Sequence, residues 1–112
     1  MEFGIEELEY ALERYTNVVG VIEDKSDRIN TNKRQAFINA FADGTSIHNL
    51  RELFKMKDAN NVRYAMRQHE DKYYTYLDYC DSFKCAEAIK HRMVSGKLAQ
   101  KNYSYEGLLE EA

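Results

Sequence analysis

The chain contains no proline and only five glycines in 112 residues. Glycine and proline supply many of the turns that join the strands of a sheet, so their scarcity leaves few places for such turns. Strong helix formers recur along the whole chain instead. The sequence therefore predicts an all-α fold. A chain of this length is expected to bury one core, and we predict a single helical domain over residues 1–112.

No run of 18 apolar residues occurs in the sequence, whereas a helix that spans a membrane needs about 20. The amino-terminal stretch MEFGIEELEY is acidic, where a secretory signal has a basic region followed by an apolar one. We therefore expect a cytoplasmic protein that does not associate with a membrane.

Cysteine is also scarce, because only Cys80 and Cys85 are present, with four residues between them. This spacing matches neither a four-ligand zinc site nor a disulfide framework, and disulfides are rare in a reducing compartment. His69 and His91 could complete a set of two cysteines and two histidines, but their spacings differ from those of a compact zinc finger. We expect two free thiols, no metal and no cofactor.

The familiar sequence motifs of enzymes are missing as well. The chain has no Walker loop, no G-x-G-x-x-G, no G-x-S-x-G and no H-E-x-x-H. Of the three histidines, His48 is expected at the surface, His69 in the packed side of a helix and His91 in an exposed basic cluster. The sequence thus predicts a protein that is not an enzyme.

The net charge of −3 hides an uneven distribution along the chain. Residues 1–24 hold seven acids and one arginine, whereas residues 25–69 hold nine lysines or arginines against four acids. Residues 70–112 are mildly acidic. Clustered cations favour contact with phosphates, because each cation near a phosphate displaces condensed counterions. The basic third is therefore the candidate region for binding nucleic acid.

Within this basic third, residues 43–67 show the pattern of two helices joined by a short turn. Gly44 ends the preceding segment, and Thr45 or Ser46 can cap a helix whose apolar face carries Leu50 and Phe54. Asp58 can cap the next helix. We predict that Phe41, Leu50, Phe54 and Val62 are buried together.

The second helix of the pair has two chemically different sides. The predicted inward stripe is Ala59, Val62, Met66 and His69. Arginine and asparagine suit base edges, whereas tyrosine and lysine suit phosphates. We predict a DNA-binding site formed by Lys33, Arg34, Lys57, Asn60, Asn61, Arg63, Tyr64 and Arg67.

The run S-I-x-x-L-x-x-x-F, followed after a turn by N-V-R-Y, resembles resolvase-like and homeodomain-like helix-turn-helix proteins. The resemblance covers about 25 residues and implies a tri-helical unit that binds duplex DNA. This chain departs from the pattern in carrying Arg51 where many members have a small residue and Lys55 where they have a turn glycine. Its turn is one residue longer, with Met56 as an apolar plug.

We predict that the tri-helical unit spans residues 33–70 and that helices flank it on both sides. The first helix is expected from Phe3 or Gly4 to about Ile22, within residues 1–24. Its apolar stripe fits either packing on its own domain or the seam of a short coiled coil. Residues 23–32 are predicted as a linker, so that Asn32 caps the next helix and Lys33 and Arg34 lie at its amino end.

Residues 71–95 are predicted as a tyrosine-rich helix or helix pair, with a break at Asp81 and Ser82 and a C-cap at Gly96. Residues 96–112 form a tail. Four tyrosines within seven residues cannot all face one side of a helix, so some of them are expected to meet a protein partner. They are Tyr73, Tyr74, Tyr76 and Tyr79.

Two functions follow from these patterns. The first is a small DNA-binding protein, either a transcription regulator or a packaging-type protein such as bacteriophages encode. The second is a helical protein-interaction module, an inhibitor or adaptor, that uses the acidic first helix or the tyrosines. The apolar stripe of the first helix and the tyrosines together exceed what one small tri-helical unit can cover, so we also predict a homo-oligomer.

Overall fold

The computed structural model describes residues 2–16, 22 and 27–100, the last four of them by their backbone alone. All regular structure in these residues is helical, which confirms the all-α prediction. Six helices have described bounds, and we number them in chain order. They are α1 (Ile5–Tyr15), α2 (Arg28–Phe41), α3 (Ile47–Leu53), α4 (Ala59–Arg67), α5 (His69–Thr75) and α6 (Leu77–Gln100).

Helix α1 starts where it was predicted to start and ends sooner. The backbone N–H of the N-cap Gly4 donates to Oε1 of Glu7 at 3.0 Å, and the acids of the first turn complement the helix dipole. Thr16 takes an extended conformation directly after Tyr15. A continuous helix to Ile22 is therefore wrong, because a β-branched residue leaves the helix at this point. Residues 17–21 lie outside the described part.

Helix α2 begins at Arg28, before the predicted start. Asp27 is its N-cap, and the carboxylate accepts a hydrogen bond from the backbone N–H of Ile29 at 3.1 Å. The linker prediction for residues 23–32 is thus wrong from residue 28 onward. Asn32, the predicted cap, is a buried helical residue. Consequently Lys33 and Arg34 do not lie at a helix amino end.

The boundaries around α3 and α4 agree with the predictions. Gly44 adopts the left-handed region with φ of 100°, which glycine reaches without a steric penalty. Ser46 caps α3 by accepting from the backbone N–H of Asn49 at 3.1 Å, and Asp58 caps α4 by accepting from that of Asn60 at 2.8 Å. Local capping chemistry therefore determines where both helices begin.

The carboxy-terminal helices break at a different residue from the predicted one. Tyr76 is extended between α5 and α6, whereas Asp81 and Ser82 lie inside α6. Gly96 is also inside α6, which reaches Gln100, so the predicted C-cap at Gly96 is wrong. Across this break His69 of α5 packs against Phe83 of α6, with ring centroids 4.6 Å apart, a contact that a continuous straight helix could not make between residues fourteen positions apart. Residues 101–112 of the predicted tail lie outside the described part.

The core draws on nearly every helix. The predicted cluster of Phe41, Leu50, Phe54 and Val62 is confirmed, since all four side chains are fully buried. Phe37 lies between two of these rings, stacked on Phe41 at 4.5 Å and edge-on to Phe54 at 5.7 Å between centroids. The buried cluster comprises Phe3, Leu8, Ala11, Leu12, Phe37, Ile38, Ala40, Phe41, Leu50, Leu53, Phe54, Val62, Ala65 and Ala86.

Helix α1 belongs to this shared core. Leu8 and Leu12, at the centre of its apolar stripe, are buried against the chain's own helices, and α1 packs on α3 and α6. The stripe is therefore not available as a coiled-coil seam. The apolar stripe of α1 therefore gives no support to the prediction of a homo-oligomer.

Helix α2 makes its most extensive contact with α6. The predicted tri-helical segment, residues 33–70, is thus packed into a larger helical array, in which α2 also contacts α4 and α4 contacts α3. None of the described helices is long and apolar enough to cross a bilayer. Within this array α4 has one side packed inward and the other exposed.

Candidate nucleic-acid interface

The turn between α3 and α4 is a Schellman motif centred on Lys55. The backbone N–H of Lys55 donates to the carbonyl of Glu52 at 3.1 Å, and that of Met56 donates to the carbonyl of Arg51 at 3.0 Å. Met56 packs on the core, as the apolar contact of this motif requires. Five residues therefore separate α3 from α4, which makes the turn longer than that of a tight helix-turn-helix.

Lys55 has a strained backbone conformation in this turn, since its φ of 53° lies in the left-handed region. We expect Lys55→Gly to raise the free energy of unfolding by about 0.5–1 kcal/mol, because glycine removes the steric strain at some cost in unfolded-state entropy. Chemical denaturation followed by circular dichroism measures the change.

The matched control for Lys55→Gly is Lys84→Gly on α6, which replaces an exposed lysine in an ordinary helix interior. This variant is expected to lose about 1 kcal/mol. Equal losses in the two variants would show that Lys55 carries no strain.

Helix α4 buries one side and exposes the other. Val62 and Ala65 are its fully buried residues. Met66, predicted to face inward, is 39% exposed, so the buried side is rotated from the predicted stripe toward Ala65. The close approach of α2 explains the rotation: Nδ2 of Asn39 donates to the carbonyl of Ala65 at 2.9 Å, and a small residue permits that distance.

The exposed side of α4 contains four of the predicted site residues, which the structure brings together on one helix face. Their spacing of three or four residues places them opposite Val62 and Ala65. From Ala59 to Arg67 the helix has no carboxylate, and the nearest acid, Asp58, is used as the N-cap. The four residues are Asn60, Arg63, Tyr64 and Arg67.

Two of these four side chains are linked to each other. Nη1 of Arg63 donates a hydrogen bond to Oδ1 of Asn60 at 3.1 Å. The backbone N–H of Asn60 is held in turn by the Asp58 carboxylate. The amino end of α4 therefore presents an amide group in a defined orientation next to a guanidinium.

The remaining predicted site residues divide into two groups. Lys57 and Asn61 are exposed beside the α4 face. Lys33 is half-buried, and its carbonyl accepts from the Tyr15 hydroxyl at 2.7 Å. Arg34 is buried, and burial lowers the pKa of its guanidinium. We therefore correct the predicted site by removing Lys33 and Arg34, which belong to the packing of α2.

A buried polar seam along α2 was not predicted. One part of it joins three helices: Nδ2 of Asn39 donates to the Tyr79 hydroxyl at 2.9 Å, and that hydroxyl lies 2.7 Å from Nδ1 of His69. Burial raises the pKa of Tyr79 to about 12, so the hydroxyl keeps its proton. The tautomer of His69 sets the direction of its bond to Tyr79: an unprotonated Nδ1 accepts the hydroxyl proton, and a protonated Nδ1 donates to the hydroxyl oxygen.

The other part of the seam lies nearer the start of α2. Nζ of Lys72 donates to Oδ1 of Asn32 at 2.9 Å, and Nδ2 of Asn32 donates to the Asp78 carboxylate at 3.1 Å. Burial and the neighbouring Arg34 lower the pKa of Lys72, and Asp78 opposes this shift. The sequence signal for the seam is the helical spacing of the polar residues Asn32, Gln35 and Asn39 on α2.

The seam makes stability depend on pH through His69. Burial lowers the pKa of His69 below its ordinary value of 6.5, while Glu87 and Glu70 act in the opposite direction. The stabilisation is therefore fully present above the unfolded-state pKa and is lost as the pH falls through the folded-state pKa.

We expect the wild-type free energy of unfolding to fall relative to that of His69→Gln as the pH decreases from 7.5 through the region below about 6.5. Glutamine keeps a hydrogen-bond acceptor for Tyr79 and does not titrate. Urea denaturation at a series of pH values measures the difference. A difference that is constant with pH would show that the folded and unfolded states bind the His69 proton equally.

The tyrosine cluster is only partly exposed. Tyr79 is fully buried, so the prediction that it meets a partner is wrong. Tyr76 is half-buried, with the Arg28 guanidinium 5.1 Å above its ring. Tyr74 is 80% exposed and the neighbouring Leu77 is 77% exposed. We call these two residues, with half-buried Tyr73, the α5–α6 corner.

No group of three or more histidine, cysteine or acidic side chains in the described residues is arranged to hold a metal ion. Cys80 and Cys85 are free thiols. A groove of about 220 Å³ in the described residues lies beside α1 and α3, and its lining includes Glu9, Glu13, Glu52 and Lys55. Its acidic lining is unsuited to a phosphate backbone, so the groove is not part of the candidate interface.

Comparisons of the chain with protein-family models, with curated protein sequences and with solved structures find no match.

Proposed function

We propose that the protein binds duplex DNA and that α4 is the helix that enters the major groove. The observation that carries the proposal is the exposed side of α4, which presents Asn60, Arg63, Tyr64 and Arg67 with no carboxylate among them. Arginine and asparagine are the side chains best suited to hydrogen-bond base edges. A tyrosine hydroxyl can hold a phosphate.

The neighbouring elements support this orientation. Helix α3 precedes α4 in a helix-turn-helix order, and the Schellman turn between them fixes how the chain enters α4. Lys57 is exposed just before α4 begins, where its ammonium group can contact a phosphate beside the helix. Helix α4 itself carries two arginines and no acid, so its local charge is positive although the net charge of the chain is −3.

The size of the chain suits two forms of this proposal, a small transcription regulator and a packaging-type protein. The chemistry of α4 supports both forms equally, since both require contact with duplex DNA.

The experiment is a titration of a fluorescently labelled duplex, followed by anisotropy at several salt concentrations. A protein that uses the α4 cations should bind at low salt, with an affinity that falls steeply and log-linearly as salt rises. Absence of binding at low ionic strength would overturn the proposal.

The second candidate function is a protein-interaction module, which a different observation favours. Tyr74 and Leu77 at the α5–α6 corner are two large apolar side chains that are both largely exposed. Pairing between two copies of the chain through this corner would also give a DNA-binding dimer. Tyr74→Ser with Leu77→Ser should then lower the oligomer mass in light scattering, whereas an unchanged mass excludes this surface as the contact.

A further inference from the structure

We infer that Asn60, oriented by Arg63, recognises adenine in the major groove. The inference rests on the proposed function and deepens it, because it assigns a base to one side chain of α4. Asn60 is the second residue of α4, and the amino-terminal residues of a recognition helix are those that approach base edges. Its side lies opposite the buried Val62 and Ala65, so it points directly away from the core.

The hydrogen bond from Arg63 defines which way the Asn60 amide faces. A guanidinium can only donate, so the amide atom 3.1 Å from Nη1 must be the oxygen Oδ1. The amide nitrogen then faces away from Arg63 with both of its protons available. Oδ1 keeps a second lone pair, because a carbonyl oxygen can accept two hydrogen bonds.

This arrangement matches one base edge. In the major groove adenine presents an acceptor, N7, beside a donor, the N6 amino group, and an asparagine amide satisfies both at once. Guanine presents two acceptors at the same positions and leaves Oδ1 facing an oxygen. Arg63 thus orients the Asn60 amide through one N–H group, and its other donors remain available to a base or a phosphate.

Selection of bound duplexes from a library with randomised central base pairs tests the inference. The wild-type chain should enrich one adenine position about ten- to hundredfold over the other bases. Asn60→Asp should replace that adenine by cytosine, since a carboxylate only accepts and the cytosine amino group donates. Arg63→Ala should weaken the enrichment at the same position.

Lys84→Ala is the control, because Lys84 is exposed on α6, outside the candidate interface, and its loss should leave the adenine preference in place. Binding without an enriched adenine, or an adenine preference that survives in Asn60→Asp, would overturn this inference and leave the proposed function standing. A wild-type chain that retains no duplex would overturn both.

Discussion

Replacing Phe54 with alanine is expected to lower the free energy of unfolding by about 3–5 kcal/mol. The ring is fully buried, edge-on to Phe37 in the centre of the core, and it ends the helix that leads into the turn before α4. Its removal leaves a cavity that the surrounding helices can fill only in part. Because a small domain is stable by about 5–15 kcal/mol, this loss takes a large share of the total.

Urea denaturation followed by far-ultraviolet circular dichroism measures the effect of Phe54→Ala. Tyr74→Ala is the matched control: it removes another aromatic ring, which is 80% exposed, and should change stability by less than about 0.5 kcal/mol. A Phe54→Ala variant that unfolds cooperatively with wild-type stability would show that the described core is wrong.

Replacing both Arg63 and Arg67 with alanine is expected to weaken duplex binding by about 2–6 kcal/mol, since each lost base contact costs about 1–3 kcal/mol. Both side chains are exposed on the side of α4 opposite Val62. Helical content and the thermal midpoint should therefore stay close to those of the wild type. Anisotropy titrations at one fixed salt concentration measure the change in affinity.

The control for this double variant is Lys84→Ala with Arg92→Ala, which removes the same charge from exposed positions of α6. General electrostatic attraction predicts similar losses in the two double variants, whereas contact through α4 predicts a much larger loss for the arginines. Equal losses, or unaltered binding after removal of Arg63 and Arg67, would exclude α4 as the recognition helix.

The parts of the structure that the sequence predicted are those determined by local chemistry. Gly44, Ser46 and Asp58 mark helix boundaries because a left-handed turn and two capping side chains act within a few residues of their own position. The burial of Phe54 and Val62 follows from helical periodicity. These signals are readable from neighbouring residues alone.

The predictions that the structure contradicts concern features that depend on residues far apart in the sequence. Asp27 and Asn32 are both of a residue type that can cap a helix. The sequence alone does not reveal that Asn32 is buried, where it accepts a hydrogen bond from Lys72 and donates one to Asp78, 40 and 46 residues away. The helix break at Tyr76 has no glycine or proline to mark it. It accompanies the packing of His69 against Phe83, which is a tertiary contact.

In the candidate site too, features set by local spacing were predicted and features set by tertiary packing were not. The exposed side of α4 was predicted with Asn60, Arg63, Tyr64 and Arg67 because helical spacing places them together. Arg34 was misassigned, since the longer α2 turns its side chain into the protein. The hydrogen bond between Arg63 and Asn60 depends on side-chain conformation and has no counterpart in the sequence pattern.

Titration of the isotope-labelled chain with a duplex, followed by the backbone amide resonances, tests the central claim most directly. We expect the largest shifts at residues 57–67, with smaller ones along α3 and almost none at the α5–α6 corner. Shifts that centre on Tyr74 and Leu77, or no shifts at all at low salt, would contradict the assignment of α4 as the DNA-binding helix.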